Sequence, residues 1–400
     1  MSCPPPNTVD VCVLEDSDAR RVWNWQLWRQ GLSLDSKLSS VRDIAHAALG
    51  LHAARLPSPF ATVLARGVTP SVARSLFAPE TRATVMTVRC MRKTLHTLPL
   101  PLAAAAHAAT LHFRERDALR AITNAGLSIR LVARVTEAIV ELLDRTGPLF
   151  HRDVETLLVS SSATVHAVRL ALKLAWERGV LTYLNETTAW NREHRKFGLT
   201  KVVYPGLDMA MERHKATGEL VREYFDRYGP ASLADVMWWS GLSRSAVTAA
   251  MNESPRGWSI VRSSWTESPM YMYRDQLAEY AATAANTRRT GLNLLAHEDV
   301  ALKAYFETRR RYLGELPAER AFNQIGEALP TIVHDGQVVG TWAWDVSSQA
   351  VVCSVIRGFG SAELRRALKR QTHVTTEALR SSACHARCRE LHPRCACGPI

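Results

Sequence analysis

"RTGPLFHRDV" (residues 145–154) and "RYGPASLADV" (residues 227–236) align without a gap. Arg, Gly-Pro and Asp-Val stand at matching places, and Gly147 and Gly229 lie 82 residues apart. That spacing is too long for a solenoid repeat, so a duplicated small domain is expected. In the first copy, residues 132–145 have helical periodicity and stop at Gly147. "LFHRDVETLL" (149–158) gives a short helix, and "SSSATVHAVRLALKLAWERGVL" (160–181) a longer one after a Ser-rich turn that offers N-caps. Val165, Val168, Leu172 and Ala175 form its apolar stripe, while His166, Arg169 and Lys173 lie along another face. Two strands around a polar, basic tip follow to Gly206. Helix, turn, helix and hairpin together predict a winged helix. In the second copy, "SLADVMWWSGL" (232–242) reads as a short helix and "SRSAVTAAMNE" (243–253) as a candidate recognition helix that includes Arg244. "WSIVRSSW" and "MYMYR" then read as strands around "TESP".

Outward from this repeat the chain changes character on both sides. Residues 17–128 read as helical throughout. "SVRDIAHAALG" (40–50) is a helix in which Ser40 and Asp43 make a capping-box-like pair, and "PLPLAAAAHAATLH" (99–112) is a helix begun by prolines. After residue 292 strands dominate. "PTIVHDGQVVGTWAW" (330–344) is a hairpin about Asp335-Gly336, "AVVCSVIRGFG" (350–360) adds a strand, and residues 362–370 close the domain as a helix. The expected fold is mainly α with β. It has a helical, winged-helix-like domain at 17–128, winged helices at 129–210 and 211–285, a β-rich domain at 290–378 and a disordered Cys-rich tail at 379–400.

Composition narrows the partner. The chain is 46% hydrophobic, which argues for globular structure, and its formal charge of +12 suits a polyanion, most commonly nucleic acid. No apolar run is long enough to span a membrane. Asp10, Glu15, Asp16 and Asp18 stand where a signal sequence would be basic and then apolar, so a cytoplasmic, nucleoid-associated protein is expected. Of eight cysteines, Cys3, Cys12, Cys90 and Cys353 are scattered and read as reduced thiols. Cys384, Cys388, Cys395 and Cys397, with His385 and His392, crowd the tail. Their C-x3-C and C-x-C spacings match no regular zinc knuckle, so no metal is expected there. "HEDVA" (297–301) begins like a zinc H-E-x-x-H motif and fails at Ala301. A P-loop, a dinucleotide fingerprint and a G-x-S-x-G elbow are all lacking, and no cofactor is expected.

Four stretches carry a family resemblance: "ALGLHAARLPSPFATVLAR" (48–66), "MRKTLHTLP" (91–99), "YGPASLADVMWWSGL" (228–242) and "PTIVHDGQVVGTW" (330–342). In order and spacing they resemble the AlkZ/YcaQ-type DNA glycosylases, often labelled winged helix DNA-binding proteins, over roughly residues 17–375. The resemblance implies a C-shaped stack of winged helices with a small C-terminal β-barrel, DNA on the concave face, and hydrolysis of the N-glycosidic bond of alkylated bases. Some members of the family open interstrand crosslinks, in repair or in self-resistance. It also implies a motif of Gln or His, an apolar residue, then Gln or Asp, which holds the attacking water. The matching residues here are His52, Ala53 and Ala54. A neutral His52 can orient a water, whereas Ala54 cannot, so activity is expected to be weakened or lost unless another residue, such as His96 or Arg55, compensates.

Arg92, Thr94 and His96 read either as phosphate or lesion contacts or as a strand edge satisfying its own hydrogen bonds. Arg169 and Lys173 read either as phosphate contacts or as a solvated helix face. Arg192, His194, Arg195 and Lys196 sit on what reads as a protruding hairpin tip, suited to a DNA groove. Arg309, Arg310 and Arg311 are consecutive on a helix and must fan out. The expected partner is damaged double-stranded DNA bound by a monomer. The alternatives are a non-catalytic winged-helix DNA-binding protein or transcriptional regulator, disfavoured by the lack of a dimerising heptad run, and a protein scaffold, disfavoured by the charge.

Overall fold

The computed structural model describes residues 10–36, 38–159, 163–283 and 291–383. The two repeats have the same element order. In the first, helix Ile129–Thr146 is capped by Ser128, whose side chain accepts from the Leu131 N–H, and it buries Val132, Val135, Ile139, Leu142 and Leu143. Strand Leu149–Phe150, helices His151–Leu158 and Val165–Glu177, and strands Leu181–Asn185 and Arg195–Leu199 follow. Thr164 supplies the cap of the second of these helices, and residues 160–162 of the Ser-rich turn lie outside the described residues. Strand Leu149–Phe150 pairs with Arg195–Leu199, not with its neighbour in sequence.

The second repeat runs through helix Arg213–Tyr228, strand Ala231–Ser232, helices Leu233–Ser240 and Arg244–Asn252, and strands Trp258–Ser263 and Thr266–Tyr273. Again the short first strand pairs with the last one. Val154 and Val236, the matching valines of the repeat, are both fully buried. A feature the sequence did not announce is strand Asp10–Val13, which extends this sheet by pairing parallel to Trp258–Ser263.

Two expectations are corrected. Residues 17–128 are not all helical: Leu51–His52, Val85–Arg89 and Leu95–Pro99 form a three-stranded antiparallel sheet. A two-residue strand has no period to read, and only its cross-strand hydrogen bonds define it. The C-terminal strands do not close into a barrel. Leu292–Leu295, Thr331–His334, Gln337–Asp345 and Ala350–Val355 form an open antiparallel sheet in that order. Barrel diameter scales with strand number, and four strands leave no interior for side chains. Helix Ala362–Ser381, longer than expected, instead packs on both edge strands.

The expected turn at Asp335-Gly336 is present, with φ of 47° and 77°. Both residues are left-handed, as a two-residue hairpin with right-twisted strands requires. Trp23 Nε1 donates to the Gly336 carbonyl at 2.8 Å. A Cβ on Gly336 would stand 2.8 Å from that same nitrogen. Gly336→Ala is therefore expected to cost about 1–3 kcal/mol in chemical denaturation, from backbone strain and the lost Trp23 seat. An unchanged denaturation midpoint would refute the assignment.

Among the described residues two hydrophobic cores result. One joins the N-terminal region, the second repeat and the C-terminal sheet. The other belongs to the first repeat and the end of helix Leu100–Asn124. That helix enters both, through Leu102–Ala109 in the first and Ala118 and Ile122 in the second. The three consecutive arginines fan out as expected: Arg311 is buried, Arg310 pairs with Glu315, and Arg309 lies over the Phe306 and Phe322 rings. No helix among the described residues is long and apolar enough to cross a membrane. Residues 384–400 of the Cys-rich tail, with its metal question, lie outside the described residues.

Candidate active site

Gly50, at φ 106°, turns the chain from helix Val41–Ala47 into strand Leu51–His52. That φ favours glycine, and a Cβ there would also press on Leu98 Cδ2 at 2.7 Å. The strand sets His52 directly opposite His96, and the Ala53 N–H donates to the Leu95 carbonyl at 2.8 Å. Cross-strand partners share a face, and the two imidazoles meet edge to face with centroids 5.5 Å apart. His297 stands beyond, 6.3 Å from His52. The strand ends at His52, and Ala54 lies exposed in the bend that follows.

The turn before His96 is strained. Arg92 and Lys93 both have positive φ, at 50° and 63°. Thr94 Oγ1 donates to the Met91 carbonyl at 3.0 Å, and His96 Nδ1 lies 3.4 Å from the Thr94 carbonyl. Thr94 and His96 thus make local hydrogen-bonding contacts, with His96 on the central strand of the sheet, between His52 and Val88. The Arg92 guanidinium lies 3.9 Å over the Trp238 ring, and its Nη1 is buried without a hydrogen-bond partner among the described residues.

A distant segment completes the site. After strand Leu292–Leu295, Glu298 adopts φ 58°. Asp299 then caps helix Val300–Lys303, accepting from Ala301 N–H at 3.0 Å, and forms a fully buried pair with Arg66. Glu298 Oε1 accepts from the Ala328 N–H at 2.5 Å and lies 2.9 Å from Lys303 Nζ. Lys303 Nζ also donates to the Gly326 carbonyl at 2.6 Å. Glu327 Oε2 meets Arg55 Nη2 at 3.1 Å, Asn323 Nδ2 at 2.9 Å and His297 Nε2 at 3.4 Å. Of these, Glu298, Lys303 and Glu327 line a pocket of about 220 Å³ with His52, Met91, Arg92, Thr94, His96, Trp239, Val300 and Ile325.

Electrostatics in this pocket favour neutral imidazoles. Burial, with the charges of His297 and Lys303, pushes His52 down to about 3. Burial and then His52 push His96 down to about 3. Burial also lowers Lys303, against the pull of Glu298. For Glu327 burial opposes ionisation, and the Asn323 hydrogen bond with the Arg55 and His297 charges outweighs it and lowers the pKa. His52 Nδ1 is buried without a hydrogen-bond partner among the described residues. A neutral histidine in such a site can accept a hydrogen bond from water at any physiological pH.

Of the residues singled out from sequence, the structure brings His52, Arg55, Arg92, Thr94 and His96 to one place. The others lie elsewhere and are largely engaged. Arg169 is bidentate on Glu155, at 2.7 and 3.1 Å. Lys173 is half-buried, and Arg244 is exposed at the start of its helix. Arg195 pairs with Glu193 at 2.8 Å and Lys196 with Glu186 at 2.7 Å. The His194 ring lies edge-on to Phe150, and Arg192 lines a cleft shared with Ala53 and Arg55.

The hairpin tip does not protrude, contrary to expectation. Trp190 at its centre is buried, donates from Nε1 to the Leu379 carbonyl at 2.7 Å, and meets Trp344 edge to face at 5.7 Å. Its backbone N–H reaches the Ser382 carbonyl at 3.2 Å. These carbonyls belong to the end of helix Ala362–Ser381, where they lack intrahelical partners. The tip therefore docks there.

Sequence reasoning missed Glu298, Lys303, His297, Glu327 and Trp238. The one available signal was "HEDVA" itself, a charged cluster between an apolar strand and an apolar helix. It fails as a zinc motif, yet it places Glu298 in the pocket, His297 beside His52 and Asp299 in the buried pair with Arg66. Among the described residues no group of histidine, cysteine and acidic side chains could hold a metal ion.

The architecture is that of a DNA glycosylase. Streptomyces sahachiroi DNA glycosylase AlkZ matches with a TM-score of 0.70, over 90% of this chain and 96% of that one, at 21% identity. At that identity the likeness carries the fold. Sequence carries the family: the DNA glycosylase AlkZ-like family model matches residues 46–384, and the chain belongs to that family. No curated protein sequence matches it.

Proposed function

We propose that the chain is a DNA N-glycosylase that releases alkylated bases from duplex DNA by hydrolysis at the His52 pocket. The observation that carries this reading is the His52–His96 cross-strand pair, buried and neutral in a pocket that Arg92 and Lys303 also line. Alkylation at N7 makes a purine a good leaving group, and its sugar becomes cation-like as the base departs. The enzyme has to hold a water near C1′ and tolerate that charge. Neutral imidazoles do both, whereas imidazolium would repel it. At about 220 Å³ the pocket is smaller than the roughly 300–1,000 Å³ usual for small-molecule sites. It suits a water and the edge of a sugar better than a whole extrahelical nucleotide, which is compatible with bulky adducts and crosslinks as substrates.

In this reading the two repeats are winged helices. Each has the order helix, strand, helix, helix, hairpin, with the short strand on the last one. Arg244 and Lys173 on the second long helix of each unit, with Arg92 and Arg55 at the pocket, would approach phosphates of damaged double-stranded DNA. The protein would act as a cytoplasmic monomer without a cofactor. The test is base release from duplexes carrying 7-methylguanine or a bulky N7-guanine adduct, comparing wild type with His52→Ala. The variant should be slower by about 100-fold or more. The exposed position of Ala54 favours one second reading, a binding module without chemistry. A wild type that binds lesion duplexes and releases no base would establish it.

The same chemistry fixes a pH dependence. An ordinary histidine base titrates near pH 6.5 and would give a rate limb there. His52, held near 3 by burial, stays neutral. Single-turnover base release should be flat between about pH 6 and 8. A limb centred near pH 6.5 that vanishes in His52→Ala would show that His52 is not neutral as described.

A further inference from the structure

Position 54 offers no second polar group for the water. The Ala54 side chain has none, and the residue is exposed after the strand has ended. Two carboxylates in the pocket are the alternatives. Glu327 lies at the rim, and its Oε2 is already shared by Arg55, Asn323 and His297. Each carboxylate keeps one oxygen without a hydrogen bond among the described residues, and Glu298 differs in its burial and its backbone. Its side chain is only 8% exposed. Oε1 takes both the Ala328 N–H and Lys303, while Oε2 makes no hydrogen bond among the described residues and is not sealed from the pocket. Its backbone holds φ 58°, an arrangement that is strained for a non-glycine residue and persists only where neighbours enforce it. They do so here: the Glu298 N–H is bonded to the Ala328 carbonyl at 2.9 Å, and Asp299 is locked to Arg66.

We infer that Glu298 is the catalytic residue that partners His52, supplying from the C-terminal segment the water-holding group that position 54 lacks. This rests on the base-excision reading. The His52 ring accepts one hydrogen of the water and Glu298 Oε2 the other. The water oxygen forms the bond to C1′ as the C1′–N9 bond breaks, and that electron pair leaves with the base. An N7-alkylated guanine is cationic before cleavage and leaves neutral, so no acid is needed at the leaving group. The proton released by the water ends on Glu298 Oε2 and passes to solvent. Lys303 holds Oε1 in place at 2.9 Å, and the carboxylate faces the developing positive charge of the sugar.

The experiment pairs single-turnover base release with affinity for two duplexes. One carries a cationic pyrrolidine in place of the target sugar, the other a neutral tetrahydrofuran. Wild type should prefer the pyrrolidine duplex by about tenfold or more, and Glu298→Gln should abolish that preference and slow base release by about 100-fold. Glu327→Gln and Ala54→Gln should cost less than about tenfold. Glu298→Gln strands the Lys303 charge, so Glu298→Gln/Lys303→Met, which leaves neither charge buried, must show the same two losses at wild-type thermal stability. Base release and preference both within about threefold of wild type in Glu298→Gln would overturn the assignment while leaving base excision intact. A wild type that releases no base, whichever duplex it prefers, would sink the excision reading and the catalytic role of Glu298 with it.

Discussion

Asp235→Ala is expected to destabilise the protein by about 4 kcal/mol, against less than about 0.5 kcal/mol for Asp153→Ala at the matching position of the first repeat. Asp235 is fully buried and serves five donors. Its Oδ2 accepts from the Ser232 N–H at 3.0 Å and from Thr308 Oγ1 at 2.6 Å, and its Oδ1 from the N–H groups of Phe306, Glu307 and Thr308 at 2.7, 2.8 and 3.3 Å. Thr308 passes the charge on, for its Oγ1 also accepts from Arg311 Nη2 at 3.0 Å. Arg311 in turn reaches Gln26 and the Pro230 carbonyl and lies 3.8 Å over the Tyr305 ring. Alanine would orphan the buried Ser232 N–H and Thr308 N–H, each costing about 1–3 kcal/mol when left unpaired, while the part-buried Phe306 and Glu307 N–H groups can turn to water and the Thr308 hydroxyl can rotate. Asp153 is exposed, so its loss removes little. Urea denaturation of the two variants decides the matter. Equal midpoints would mean that Asp235 does not tie the second repeat to the C-terminal segment.

Acid should destabilise the protein steeply before any carboxylate is neutralised. Three histidines, His52, His96 and His107, are buried, and burial leads the causes that lower each to about 3. For His107 the second cause is Arg114, whose Nη2 lies 3.2 Å from His107 Nδ1. Unfolded histidine titrates near 6.5, so below that pH the unfolded chain binds protons that the folded chain refuses. Stability is then full above about pH 6.5 and falls with acidification down to about pH 3. The slope approaches about 1.4 kcal/mol per pH unit for each group, or about 4 kcal/mol per unit for all three. Set against a typical total of 5–15 kcal/mol, this predicts acid unfolding between about pH 5 and pH 3. Denaturant midpoints measured from pH 7 to 5 test it. His107→Gln, remote from the pocket, should reduce the slope by about one third. A stability independent of pH over that range would refute the neutral burial of these side chains.

Much of the architecture was legible. The Gly-Pro…Asp-Val repeat located two units of equal element order, because helix stops, caps and a buried valine are local requirements that each copy must meet. The Asp-Gly turn was legible for the same reason. The hairpin tip was misread because its basic composition is visible locally, whereas the seat of Trp190 on a helix end 189 residues away is not. Half of the pocket was legible as His52, Arg92 and His96. The rest was not, since Glu298 and Lys303 come from a segment whose only sequence signature was a motif that fails.

By itself the sequence determined what depends on neighbours along the chain: the helices and their caps, the two-residue turn, the repeated unit, the basic charge and the histidine left without its motif partner at position 54. Tertiary structure decided what depends on separation in space. Burial made His52 and His96 neutral, a register of two residues set them face to face, and a strained turn at Glu298 brought a carboxylate into their pocket. The same Asp-Val pair became a solvent-facing carboxylate in one repeat and a buried five-donor anchor in the other. Desolvation and pairing, which set charge state and energetic weight, are properties of the surroundings and not of the residue type.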